Sequence, residues 1–187
     1  MKKISLLAIA LLMTIAVSAQ KWTLDKAHSK LTFTVTHLLM SEVDGVFKSF
    51  DASITSSKED FSDATFELTA DMTKVTTNND MRDGHLQKED IFNTDEFQTI
   101  TFTSTGIKRP GGNQYAPSGN LTLKGVTKPL TLNLTKLGTG TNRQGKKLVG
   151  FKVTGTIKRT DFGVGAMPAA VVAEDVELTA SGEFALN

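Results

Sequence analysis

The sequence predicts an all-β domain, an eight-stranded antiparallel β-barrel, and three observations carry that reading. Apolar residues recur at every second position through most of the chain, the period of a strand with one buried face. The alternate positions are filled by Thr, Lys and Glu, as on the solvated face of an antiparallel sheet. Only one stretch, residues 79–102, breaks the alternation with a segment that reads as helical. Eight such strands close most economically into a barrel, which removes exposed edges. A two-sheet sandwich is the alternative architecture.

The chain opens with Lys2 and Lys3, an apolar run from Ile4 to Val17, and Val17-Ser18-Ala19 before Gln20. A charged start, a short apolar run and small residues at a cleavage point are the pattern of a secretory signal peptide over residues 1–19. The run is shorter than the ~20 residues of a spanning helix. The expectation is therefore a soluble, exported protein with no integral membrane segment. The chain has no cysteine, so neither a thioether lipid anchor nor a disulfide framework is open to it. Removing residues 1–19 leaves 19 basic against 20 acidic side chains, a balance that gives no footprint for nucleic acid. Residues 20–187 suit a single domain with a core of its own.

The elements follow in order. Residues 21–25 form a short strand and 27–29 a turn. Leu31, Phe33, Val35 and His37 then share one face opposite three threonines, the cleanest alternation in the chain. Residues 43–47 resume the strand; Phe50, Ala52 and Ile54 alternate after a phase slip near Lys48–Ser49, as a bulge would produce. Ser56 to Ser62 is a polar loop, and Phe66, Leu68, Ala70 and Met72 make the next inward row. In the central connection Asn79 or Asp80 caps a short helix that Gly84 weakens by ~1 kcal/mol relative to alanine. Ile100, Phe102 and Ser104 return to strand, and residues 109–113 mark a turn. Leu121, Leu123 and Gly125 form one row, Lys128-Pro129 interrupts, and Leu130, Leu132 and Leu134 form another. Residues 138–147 read as a hairpin loop. Val149, Phe151, Val153, Gly155 and Ile157 follow. Residues 159–163 end that strand, residues 165–173 form a loop, and Val176, Leu178, Ala180, Phe184 and Leu186 close the chain.

The chemistry is sparse. An eight-stranded barrel is either filled by its own side chains or holds one small ligand, and alternation alone does not separate the two. His37 continues an apolar face, either as a hydrogen-bonded core residue or as a polar contact at a pocket mouth. His28 has the opposite parity and His85 lies in the central connection, so no close zinc spacing exists. Residues 140–147 nearly match a phosphate loop, but Lys147 stands where Ser or Thr would bind metal and a strand follows instead of a helix. Arg82 and Asp83 either pair with each other or clamp neighbouring strand ends.

Several motifs occur in order. Residues 22–29 read WTLDKAHS, Phe33-Thr-Val-Thr-His37 follows, and then Gly45-Val-Phe47. Arg82-Asp83-Gly-His85-Leu86 leads to Asp90-Ile-Phe92 and Ile100-Thr-Phe102. The stretch GNLTLKGVTKPLTL from Gly119 is the most specific, and Arg159-Thr-Asp-Phe-Gly163 the last. In these motifs the chain resembles the YceI-like proteins, exported bacterial barrels also described as polyisoprenoid-binding. Gln98 departs from the proline usual before the Ile-x-Phe strand. The resemblance implies an extended, lipocalin-like eight-stranded barrel with a short helical connection near residues 80–92. It implies periplasmic lipid binding without catalysis, and dimers are common among such proteins.

On that resemblance the inward rows become a pocket for a long apolar lipid, such as a polyisoprenoid, a quinone or an isoprenoid pyrophosphate, with no other cofactor. Its lining would be Phe33, Val35, Phe66, Leu68, Phe102, Leu121, Leu123, Leu132, Phe151 and Val153, with His37 as a polar contact. Two other readings stand beside it: a metal or carboxylate enzyme using His28, His37 and His85, and a filled structural barrel. The polar stretch at 79–102 would close one end of the barrel, with Leu86, Ile91 and Phe92 capping the core.

Overall fold

The computed structural model describes residues 19–187, so the expected leader falls almost wholly outside the described residues. The strands are β1 (Gln20–His37), β2 (Ser41–Phe47), β3 (Phe50–Ser56), β4 (Thr65–Asp71) and β5 (Val75–Thr76). After helix α1 (Asp80–Leu86) come β6 (Thr99–Gly111), β7 (Gln114–Leu123), β8 (Val126–Thr131), β9 (Asn133–Thr141), β10 (Lys147–Lys158) and β11 (Val172–Leu186). Every ladder is antiparallel, and pairing of β1 with β11 closes the sheet into a barrel. β2 and β3 run end to end beside β1, β4 and β5 beside them, and β8 and β9 beside β7. Eleven strands therefore make the eight staves expected from the alternation.

Several boundaries differ from those read in the sequence. The turn expected at 27–29 is a bulge within the continuous strand β1. Asp25 and Lys30 sit opposite Glu183 and Ser181, so β1 carries three extra residues there. The bulge switches the inward parity from Trp22 and Leu24 to Leu31 and Phe33. Lys128 and Pro129 lie inside β8; the hairpin turn comes earlier, at Lys124 and Gly125, both with positive φ. β8 ladders with β7 alone, and its other edge tolerates a proline. β9 continues through Gly138 to Thr141, leaving only 142–146 as the hairpin tip, with no helix for a phosphate loop. The helical connection is a single helix ending at Leu86. No helix among the described residues is long and apolar enough to cross a membrane.

Both barrel ends are plugged. At one, Ile91 and Phe92 from the connection after α1 pack with Phe162 and Val164 from the β10–β11 connection, all buried. At the other, the β3–β4 loop turns Phe61 inward, its ring 5.4 Å from those of both Trp22 and Phe151. The Tyr115 hydroxyl donates to the Asp60 carbonyl at 2.7 Å and holds that loop down. The expected polar loop is thus a stopper with an aromatic core residue at its centre.

Candidate ligand cavity

Between the plugs the barrel is hollow. One cavity of about 120 Å3 is walled by Phe66, Leu68, Phe102, Leu121, Leu132, Phe151 and Val153, together with Leu24, Leu31, Phe50, Leu130 and Phe184. A second, of about 110 Å3, is walled by Phe33, Val35 and Leu123, with Met72, Leu86, Ile91, Phe92, Ile157 and Val176. Phe47, Ile100 and Leu178 line both, forming a waist between the two chambers. Ten of the eleven residues expected at a lining thus face one chamber or the other. His37 faces neither; it is half-buried at the end of β1, opposite Ser41 and Val172.

The chambers owe their room to small residues placed opposite large ones. Phe33 pairs with Gly45 across β1 and β2, and its ring covers the space a Cβ at 45 would need. Leu132 lies over Gly155 in the same way. A side chain at either glycine would push its partner further into the interior or out of the barrel. Few polar atoms reach the walls, so the interior offers burial to hydrocarbon and little else.

The polar residues of the closure bond to one strand end, through backbone and threonine hydroxyls alike. Asp83 accepts from the Thr76 hydroxyl at 2.6 Å, the Thr77 amide at 2.7 Å and the Thr77 hydroxyl at 2.5 Å. Burial opposes its ionisation, but these hydrogen bonds outweigh it and hold the carboxyl below its ordinary value. Arg82 donates Nε to the Thr77 hydroxyl and its terminal nitrogen to the Thr77 carbonyl, so both residues clamp one strand end rather than each other. Asn79 caps α1 by accepting from the Arg82 amide.

Arg159 is the residue whose role sequence reading missed. It is buried and lies on the wall of the second chamber, yet its guanidinium is spent on five carbonyls, those of Ala173, Val164, Gly165, Met167 and Val172. It ties the β10–β11 connection across the barrel end, and it has no donor left over for a ligand anion. The Arg-Thr-Asp-Phe-Gly run is the signal that could have found it.

The three histidines do not meet. His28 bonds Asp25 at 2.8 Å in the β1 bulge, His85 lies 3.2 Å from Asp90 beyond α1, and His37 ends β1. His28 and His37 are nine residues apart along one strand, on the order of 30 Å. The three-histidine arrangement weighed above is therefore not assembled. Asp25, His28 and Glu183 do cluster on the exposed bulge. The hydrogen bond that the Asp25 carboxylate accepts from the His28 ring raises the His28 pKa and lowers that of Asp25, which accounts for the pair as a local brace.

The YceI-like domain model matches residues 22–184. A UPF0312 protein of Staphylococcus aureus (strain bovine RF122) is 35% identical over 172 residues, covering 89% of this chain and 98% of that protein. The crystal structure of the Campylobacter jejuni YCEI protein is 31% identical with a TM-score of 0.73, over 87% of this chain and 96% of that one. The fold is also that of a polyisoprenoid binding domain from Saccharophagus degradans implicated in plant cell wall breakdown. That domain is 19% identical, with a TM-score of 0.63 over 89% of this chain and 98% of that one. A match spanning nearly the whole described barrel, with a relative above 30% identity over almost its full length, makes this chain a member of the YceI-like family.

Proposed function

We propose that this protein is an exported carrier or store for a long apolar lipid, a polyisoprenoid or a chain of similar shape such as a quinone tail. The observation that carries this reading is the hollow barrel itself, two adjoining chambers with almost wholly apolar walls between plugged ends. A filled structural barrel would not leave this space, since a cavity in a well-packed core costs stability in proportion to its volume. The fold shared with a polyisoprenoid binding domain supports the same ligand class. Burial of hydrocarbon supplies about 25 cal/mol per Å2, enough to hold a lipid without ionic contacts. We read the role as binding rather than catalysis, a reading that the hydrocarbon-lined interior supports.

The chambers as they stand each suit a short apolar segment; a cavity of about 150 Å3 accepts benzene. A longer chain threads both and displaces the side chains at the waist. Native mass spectrometry of protein purified gently from its host tests the reading. A co-purified lipid, or uptake of added geranylgeraniol by stripped protein, is the expected result. Protein that is clean by mass and takes up no prenol would end it.

A further inference from the structure

Both ends of the barrel are closed by buried side chains, so a ligand needs another way in. The wall itself offers one. β1 is laddered to β3 only over Gln20–Thr23 and to β2 only over Thr32–His37. Between those ladders, residues 24–31 of β1 face residues 47–52 of the neighbouring stave without a backbone pair.

Two local features make this seam. On one side the three extra residues of the β1 bulge lift the strand out of register with β11. On the other, the break between β2 and β3 is drawn away toward β4 and β5. The Lys48 amide donates to the Lys74 carbonyl at 3.1 Å, and the Asp71 amide to the Ser49 carbonyl at 2.9 Å. The break between β2 and β3 thus directs these backbone groups to the strands beyond it and not to β1.

The larger chamber reaches the outside here. Its wall includes Lys30 on the seam and Ser53 at the last rung of the β1–β3 ladder beside it, outward residues whose chain neighbours Leu31 and Ala52 point inward. Across the seam the Lys26 ammonium meets the Asp51 carboxylate at 2.9 Å, with both side chains more than half exposed. An ion pair this exposed contributes little to stability, so it opens readily.

We propose that the lipid enters and leaves sideways through this seam, and that Lys26 and Asp51 form its latch. The proposal rests on the lipid-binding reading above. A second unladdered seam lies between β8 and the end of β10, but there Leu132 covers Gly155, and the cavity meets only the inward residues Leu130 and Leu132.

The chain lacks cysteine, which allows a direct test. Lys30→Cys at the proposed seam and Lys128→Cys on β8, beside the rival seam, are each coupled to a maleimide-polyethylene glycol. Uptake and release of geranylgeraniol by stripped protein are followed by native mass spectrometry. The adduct at 30 should slow both rates by about tenfold with little change in Kd, while the adduct at 128 leaves them unchanged. Equal rates for the two adducts, or slowing only at 128, would overturn the seam. If the unmodified protein takes up no prenol at any time, it is the lipid reading that fails. Lys26→Glu needs no label: like charges across the seam should speed exchange several-fold without lowering Tm, and unchanged exchange would refute the latch.

Discussion

Phe33 and Gly45 are cross-strand partners in the β1–β2 ladder, and the Phe33 ring occupies the space where a side chain at 45 would stand. The same ring meets Phe47 edge-on at 5.8 Å. The single carbon by which alanine exceeds glycine is therefore felt at the wall of the second chamber. Gly45→Ala should force the ring inward and destabilise the protein by about 1–3 kcal/mol, as overpacking does. A lower urea midpoint at unchanged m checks this.

Phe61 is the stopper of the opposite end. Phe61→Ala removes the ring packed on Trp22 and Phe151, and should cost about 3–5 kcal/mol. The same urea titration reads it. A loss of only a few tenths would mean that the loop reseals without the ring.

Arg159 and lysine are not interchangeable here. Five carbonyls converge on a planar fork, and an ammonium satisfies at most three of them. Arg159→Lys should lower stability by about 3 kcal/mol or more, because buried acceptors lose charged donors. Thermal melting tests this, and wild-type Tm in the variant would refute it.

Asp83→Ala deprives the Thr77 amide and two threonine hydroxyls of their acceptor and should cost about 1–3 kcal/mol while leaving ligand choice unchanged. Melting curves read alongside a lipid competition assay separate these effects. Unchanged melting with altered lipid preference would reverse the assignment of Asp83 as closure.

Acid should weaken the fold in a defined window. Hydrogen bonds from Ser56 and Ser57 hold Asp63 far below its ordinary value, and Asp83 is depressed as well. A depressed carboxyl stabilises the folded state above its ordinary value of 3.8 and loses that contribution as pH falls through its folded value. Tm measured between about pH 2 and pH 6 should therefore fall steeply below about pH 4, and less steeply in Asp83→Asn. His28 has the opposite sign: its raised pKa favours the fold at low pH, and that contribution fades as pH rises past the raised value.

The barrel was legible because its rows are long and strictly alternate; the row from Phe66 to Met72 or from Val149 to Ile157 admits one inward face. The same parity tells which side chains point inward, but not whether the space between them is filled. What sequence did not reveal are features set by pairing between distant strands. The β1 bulge looks like a turn because Ala27-His28-Ser29 is turn-like locally, and only the register against Glu183 and Ser181 shows one continuous strand. Phe61 sits among Ser, Lys, Glu and Asp, so local polarity hides a core residue. His37 keeps inward parity, but the strand ends there and the ring has no chamber beside it.

The waist at Phe47, Ile100 and Leu178 turns the interior into a ruler. A ligand short enough for one chamber leaves those three side chains where they are. The first prenyl unit that must cross them pays for their displacement before it gains the second chamber. Affinity plotted against chain length should thus rise, pause at one added unit, and rise again.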